Sequence, residues 1–231
     1  MRYLVLDTET SGLTDNDRCV EIGWLEIDKD FNILNQFETL LDPQCMIAPA
    51  ASAVHGLTLD DLKDAPTIEE YFSEDNPSCY GHKFTDECVL IGHKVSFDFR
   101  FVKDYFNVQG LLCTLLWSRR LYSDMDNAKL GSMSYALNLP RPTNAHRVLS
   151  DCTTAYHLVK HISERTGLDL DDLTLAAKTP YLLTTVPIGK HAGKTWDELP
   201  APYLRWMSDA ITDDLDIAFS VHQEIQRRKQ K

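Results

Sequence analysis

The chain has 231 residues, a formal net charge of −12 at pH 7, and 43% hydrophobic and 10% aromatic residues. That length supports one core of about 150–180 residues with a short module left over, and no apolar run approaches the roughly 20 residues of a membrane-spanning helix. The acid excess argues against tight non-specific binding to a polyanion, which needs clustered Lys and Arg, so any nucleic-acid activity has to rely on metal ions or a local basic patch.

Taken in chain order, Tyr3–Leu6 reads as a short apolar strand, and Val20–Ile27 and Ile33–Leu41 as two more, separated by the turn-like Lys29-Asp30-Phe31-Asn32. Thr58 and the segment Ala65–Glu70 carry helix-start signals, with acidic residues in the first turn. Glu74–Thr85, with its Asn-Pro-Ser and Gly, is expected to be a loop; Val89–Gly92 is a buried strand, and Phe97–Phe106 has apolar residues at helical spacing. Leu111–Cys113 is a further short strand. Leu115–Leu121 and Leu130–Leu137 are helices, the second ended by Pro140 and Pro142. Asp151–Glu164 is the clearest helix. Strands in a meander followed by strands alternating with helices predict a mixed α/β sheet. The expected division is a main domain over 1–166, a linker over 167–180 and a small Gly/Lys/aromatic module over 181–231. The amino terminus lacks the long apolar stretch of a secretory signal, and six scattered cysteines form no C-x₂-C pair. A reducing, cytoplasmic location is expected.

Three acidic elements carry the chemistry. Asp7-Thr8-Glu9 follows the first strand, and residues i and i+2 of an extended chain share a face, so both carboxylates project together as hard oxygen ligands. Asp98 sits near the start of a helix after a buried strand, where simple capping would also place an acid. His146 precedes Asp151 by five residues, so His146 must lie in the loop before the long helix if both are to reach one site.

In this order the three elements resemble the motifs of the DEDDh exonuclease superfamily of the ribonuclease H-like fold, the group that includes polymerase proofreading subunits. Pro49–Gly56 and the stretch from Gly189–Lys194 to Tyr203–Trp206 also resemble members of that group, whereas Phe72–Glu87 lies outside the likeness. The resemblance implies a five-stranded mixed sheet with flanking helices. It implies two Mg²⁺ ions, with Mn²⁺ able to substitute, held by Asp7, Glu9, Asp98 and Asp151, and His146 as general base toward the attacking water. It implies removal of nucleoside 5′-monophosphates from 3′ ends of DNA, single strands preferred. RNA ends, or a non-catalytic nucleic-acid-binding module, are the competing readings.

Substrate contacts are expected from Thr8 and Leu13 at the terminal nucleotide and from His55, His93, Lys94, Lys190 and Lys194. Three of these have a plainer alternative: core packing for Leu13, a hydrogen-bonded structural role for His55, and an idle surface cation for Lys94, which stands where the family usually has Asn. Trp196, Tyr203 and Trp206 are expected to form the module's small core, and Arg227–Lys231 to favour nucleic acid.

Overall fold

A five-stranded sheet in the order β3-β2-β1-β4-β5 organises the chain. The computed structural model describes residues 1–73, 86–125, 127–140, 147–212 and 214–230; the segment 74–85, expected as a loop, and His146 lie outside these residues. Strands β1 (Arg2–Thr10), β2 (Cys19–Ile27) and β3 (Ile33–Leu40) form the expected antiparallel meander. Strand β4 (Glu87–Gly92) runs parallel to β1, and β5 (Asn107–Cys113) parallel to β4, which makes the sheet mixed.

The helices are α1 (Pro49–His55), α2 (Leu59–Leu62), α3 (Ile68–Tyr71), α4 (Val95–Val102), α5 (Thr114–Leu121), α6 (Leu130–Ala136), α7 (Val148–Thr166), α8 (Leu170–Ala177), α9 (Ala201–Ala210) and α10 (Leu215–Lys229). Side chains alternate across a strand, and β1 divides accordingly. Tyr3 and Val5 join Leu25, Ile27 and Ile91 in a core completed by Leu158, Val159 and Ile162 of α7. Leu4 and Leu6 join Ile22, Trp24 and Leu90 in the opposite core, against Val95 and Val102 of α4.

Several boundaries differ from expectation for identifiable reasons. Strand β1 continues through residues 7–10, because β2 keeps pairing with it as far as Glu9↔Glu21 and Thr10↔Cys19, with a bulge between those pairs. Pairing is non-local, so a polar stretch can be strand without any apolar signal. Helix α4 stops at Val102 and β5 begins at Asn107, so the apolar spacing up to Phe106 overstates the helix. Helix α1 was not expected, although Pro49 in its first turn and left-handed Gly56 (φ 77°) after its last residue are its signals. The expected linker folds as α8: Leu170 and Leu173 enter the main core, and the Tyr3 hydroxyl donates to Asp171 at 2.8 Å.

The C-terminal module has its own core of Leu183, Val186, Trp196, Leu204, Met207, Ile217 and Val221. It is fastened to the main domain by a two-pronged ion pair of Arg120 with Asp216, whose side chains are 6% and 2% exposed. Arg120 also donates to the carbonyls of Ala176 and Thr179. Trp206 is 52% exposed rather than in the core. Arg227 and Arg228 both pair with Glu224, and Arg228 donates to the carbonyls of Trp196, Asp197 and Leu199, so these two arginines hold the module together. Among the described residues no helix is long and apolar enough to cross a membrane.

Candidate active site

Asp7 and Glu9 continue the face of β1 that Tyr3 and Val5 begin, the face covered by α7. Asp151 lies in the first turn of α7, and carboxylate oxygens of Asp7, Glu9 and Asp151 all fall within 4.8 Å of one another. Gly23, opposite Asp7 on β2, makes this approach geometrically feasible: a Cβ there would stand 2.7 Å from Val148 Cγ2 and 3.0 Å from the Phe37 carbonyl oxygen. Cys152 of the same helical turn donates its thiol to the Gly23 carbonyl. A side chain at 23 would lift the start of α7, and Asp151 with it, off the sheet.

Asp98 arrives from the opposite layer. Strand β4 ends at Gly92 while β1 runs on, so past the last β4 partner the N–H of Thr8 has no strand to meet. Asp98, in the first turn of α4, fills that step: its Oδ1 accepts from the Thr8 N–H at 3.1 Å and from the Thr8 hydroxyl at 2.8 Å. It is 4% exposed. Of the neighbouring charges Asp98 acts most strongly on Asp7. Thr8, expected at the terminal nucleotide, is buried and its hydroxyl holds Asp98 in position.

So many acids in one place cannot all ionise freely. Burial, and then the charges of Asp98, Asp151, Glu9 and Glu21, hold the Asp7 carboxyl well above the usual range. Burial and the charges of Asp151, Glu21 and Asp98 push Glu9 up to about 8, against Arg147. Burial pushes Asp98 up to about 7, against the Thr8 hydrogen bonds and the Lys94 charge. Oxygen donors of this density, raised in proton affinity for want of countercharge, suit hard divalent cations.

Two residues that the sequence reasoning passed over frame the cluster. Glu21, opposite Glu9 and 1% exposed, receives three hydrogen bonds from Arg147, the shortest 2.6 Å from Nη2. Arg147 caps the start of α7 and directly follows His146 in the chain, so the pair ties that junction to β2. The signal was available: an acid inside the apolar run of β2 requires a partner when buried.

The remaining expected contacts divide. Leu13 is 79% exposed in the loop after β1, which removes the core-packing alternative. Lys94 is exposed at the start of α4, in the left-handed region (φ 78°), with its ammonium 5.7 Å from the Phe97 ring centre. Lys190 and Lys194 are exposed on the C-terminal module, Lys190 above the Tyr203 ring. His55 is buried and its Nδ1 accepts from the Leu57 N–H at 3.0 Å; burial lowers its pKa. His93 turns toward α5, its Nδ1 3.0 Å from the Thr114 hydroxyl, and burial pushes its pKa down to about 4. Each of these two rings has one nitrogen in a hydrogen bond inside the protein, while its Nε2 is buried without a hydrogen-bond partner among the described residues.

Comparison with known proteins agrees with this geometry. The RNase T family model, described as an exonuclease, matches residues 4–159. Exodeoxyribonuclease 10 of Escherichia coli K12 is 29% identical over 95% of this chain and 98% of its own length. The PolC-type DNA polymerase III of Caldanaerobacter subterraneus subsp. tengcongensis is 32% identical over 70% of this chain, which spans only 12% of that much longer protein. Among solved structures, exonuclease X in complex with 5′ overhanging duplex DNA aligns with a TM-score of 0.60 and 27% identity, over 74% of this chain and 97% of that one. E. coli exonuclease I bound to single-stranded DNA shares the fold at 17% identity and a TM-score of 0.61, over 76% of this chain and 42% of that one. With a ribonuclease H-like sheet and clustered carboxylates at the carboxyl ends of its strands, the chain belongs to the RNase T family of exonucleases.

Proposed function

We propose that this chain is a 3′→5′ exodeoxyribonuclease that depends on two divalent cations and releases nucleoside 5′-monophosphates. The observation that carries the reading is the convergence of Asp7, Glu9 and Asp151 within 4.8 Å, with Asp98 anchored beside them. The four carboxylates would hold the ions, Mg²⁺ by preference with Mn²⁺ able to substitute. When bound, the ions supply Lewis-acid stabilisation of charge at the scissile phosphate and acidify the attacking water. His146, one residue before the Glu21-bound Arg147, accepts the proton from that water. Leu13, exposed in the loop that follows β1, rests against the terminal base, and Lys94 contacts phosphate. Lys190 and Lys194 offer the C-terminal module's cations to the same strand. DNA is favoured over RNA because the relative that matches over 95% of the chain is an exodeoxyribonuclease. A single-stranded end is preferred, since a terminus must leave its pair to reach carboxylates recessed between two layers.

The test uses 3′-labelled and 5′-labelled oligodeoxynucleotides and matched oligoribonucleotides, with Mg²⁺ and with EDTA, on the wild type and Asp7→Asn. Release of labelled mononucleotide from the 3′-labelled DNA at the earliest times, absent in EDTA and in Asp7→Asn, is the expected result. Release first from 5′ ends, internal cleavage, or equal rates with EDTA refute it. Faster release from RNA would move the substrate and leave the site assignment standing.

A further inference from the structure

A second concave site lies along the same edge of the sheet. At the carboxyl ends of β4 and β5 a cleft of about 590 Å³ opens between the main domain and the C-terminal module, within the range of about 300–1,000 Å³ usual for ligand sites. Its main-domain wall includes Lys94, Ser96 and Leu115, and its opposite wall includes Ile211 and Leu215, with Lys178 of the junction between them. The cleft is also lined by Arg119, whose guanidinium pairs with Asp214 across the two parts. Two fastenings therefore hold the cleft walls together: the Arg119–Asp214 pair and the buried Arg120–Asp216 pair.

Charge singles this place out. In a chain of net −12, the described lining residues include Lys94, Lys178 and Arg119 against the single acid Asp214. Helix α4 links the cleft to the carboxylate site: Lys94 at its start lines the cleft, and Asp98 stands four residues later, one turn along the helix. The Lys94 charge favours the ionised form of Asp98, and the same residue lines the cleft. Apolar walls with cations at the rim match a single nucleic-acid strand, whose bases present flat apolar faces and whose phosphates need countercharge.

We propose that this interdomain cleft is a subsite for the single-stranded DNA on the 5′ side of the scissile phosphate. Lys94 and Lys178 take phosphates, and Leu115, Ile211 and Leu215 pack against bases. The proposal rests on the exonuclease reading and adds to it a role for the module: it supplies one wall of the strand's path, so the chain prefers strands long enough to reach it.

The experiment measures KM for a thymidine dinucleotide and for a strand of about twelve nucleotides, in the wild type and in Lys178→Glu and Leu215→Asp. The wild type should favour the longer strand, and each variant should cut that KM advantage about tenfold, since one phosphate contact or one stacked base carries about that factor. Thermal melting verifies that the variants fold. If either does not, a strand with 5-iodouracil three nucleotides from its 3′ end is photocrosslinked to Asp7→Asn with Mg²⁺. Crosslinks within 111–119 or 211–217 are expected. An unchanged KM ratio in folded variants, or crosslinks confined to other segments, overturns the subsite. A wild type that cleaves neither substrate counts against the exonuclease reading itself.

Discussion

Replacing Glu9 by Gln should stabilise the metal-free protein while abolishing turnover, and the size of the gain follows from the crowding of acids. Glu9 holds its proton up to a pH of about 8 in the folded chain, against an ordinary 4.5. Between those two values the folded chain carries more protons than the unfolded chain, so stability falls as pH rises. At about 1.4 kcal/mol for each tenfold change in proton affinity, the unfolded chain's freedom to ionise Glu9 at pH 7 costs the folded state about 3 kcal/mol, which partial exposure of the side chain reduces to about 1–2 kcal/mol. Gln keeps the shape and removes the charge. In a protein of this size about 1 kcal/mol moves Tm by roughly 2–4 °C, so in EDTA at pH 7 Glu9→Gln should melt about 2–8 °C above wild type. At pH 5, close to the ordinary value of 4.5, the unfolded chain gains little by ionising Glu9 and the difference should fall below about 1 kcal/mol. With Mg²⁺ present the advantage should narrow or reverse, because the wild type gains more from the ion. Calorimetry with EDTA and with Mg²⁺ at the two pH values tests all of this. A variant that melts at or below wild type in EDTA at pH 7, or a gap of the same size at pH 5, would refute the reasoning.

Gly23→Ala places a methyl against Val148 and the Phe37 carbonyl; a loss of about 1–3 kcal/mol and a disproportionate fall in kcat are expected, read by melting and by steady-state kinetics. Arg120→Ala leaves Asp216 charged and 2% exposed, which should cost about 3–5 kcal/mol and expose the junction near Thr179 to limited proteolysis; a variant as protease-resistant as wild type would contradict the docking role of the pair. His146→Ala should slow hydrolysis by about 10²–10⁴-fold with KM little changed, and an unchanged kcat in a pH–rate profile would remove His146 from the base role.

The acidic elements were legible in the sequence because their chemistry is local. Two carboxylates at i and i+2 share a strand face in any sheet, and Asp7 and Glu9 do so here on β1. The start of the long helix was readable to within three residues, since its apolar periodicity persists over 19 residues. Less was visible where a residue's role depends on a distant partner. Glu21 has no meaning until Arg147 reaches it, 126 positions away. The Nδ1 partners of His55 and His93, the Leu57 N–H and the Thr114 hydroxyl, likewise appear only once the chain is folded.

By itself the sequence determined the mixed α/β class, the order of the acidic motifs and the face shared by Asp7 and Glu9, because hydrophobic period and donor chemistry are written in neighbouring residues. Only the tertiary structure decided that Asp98 crosses from the opposite layer through the step where β4 ends, that α8 belongs to the main core, and that Trp206 stays outside the module's core. The physical reason is that strand lengths and layer contacts are settled by pairing and packing between segments far apart in the chain, and no local pattern encodes where a neighbouring strand will stop.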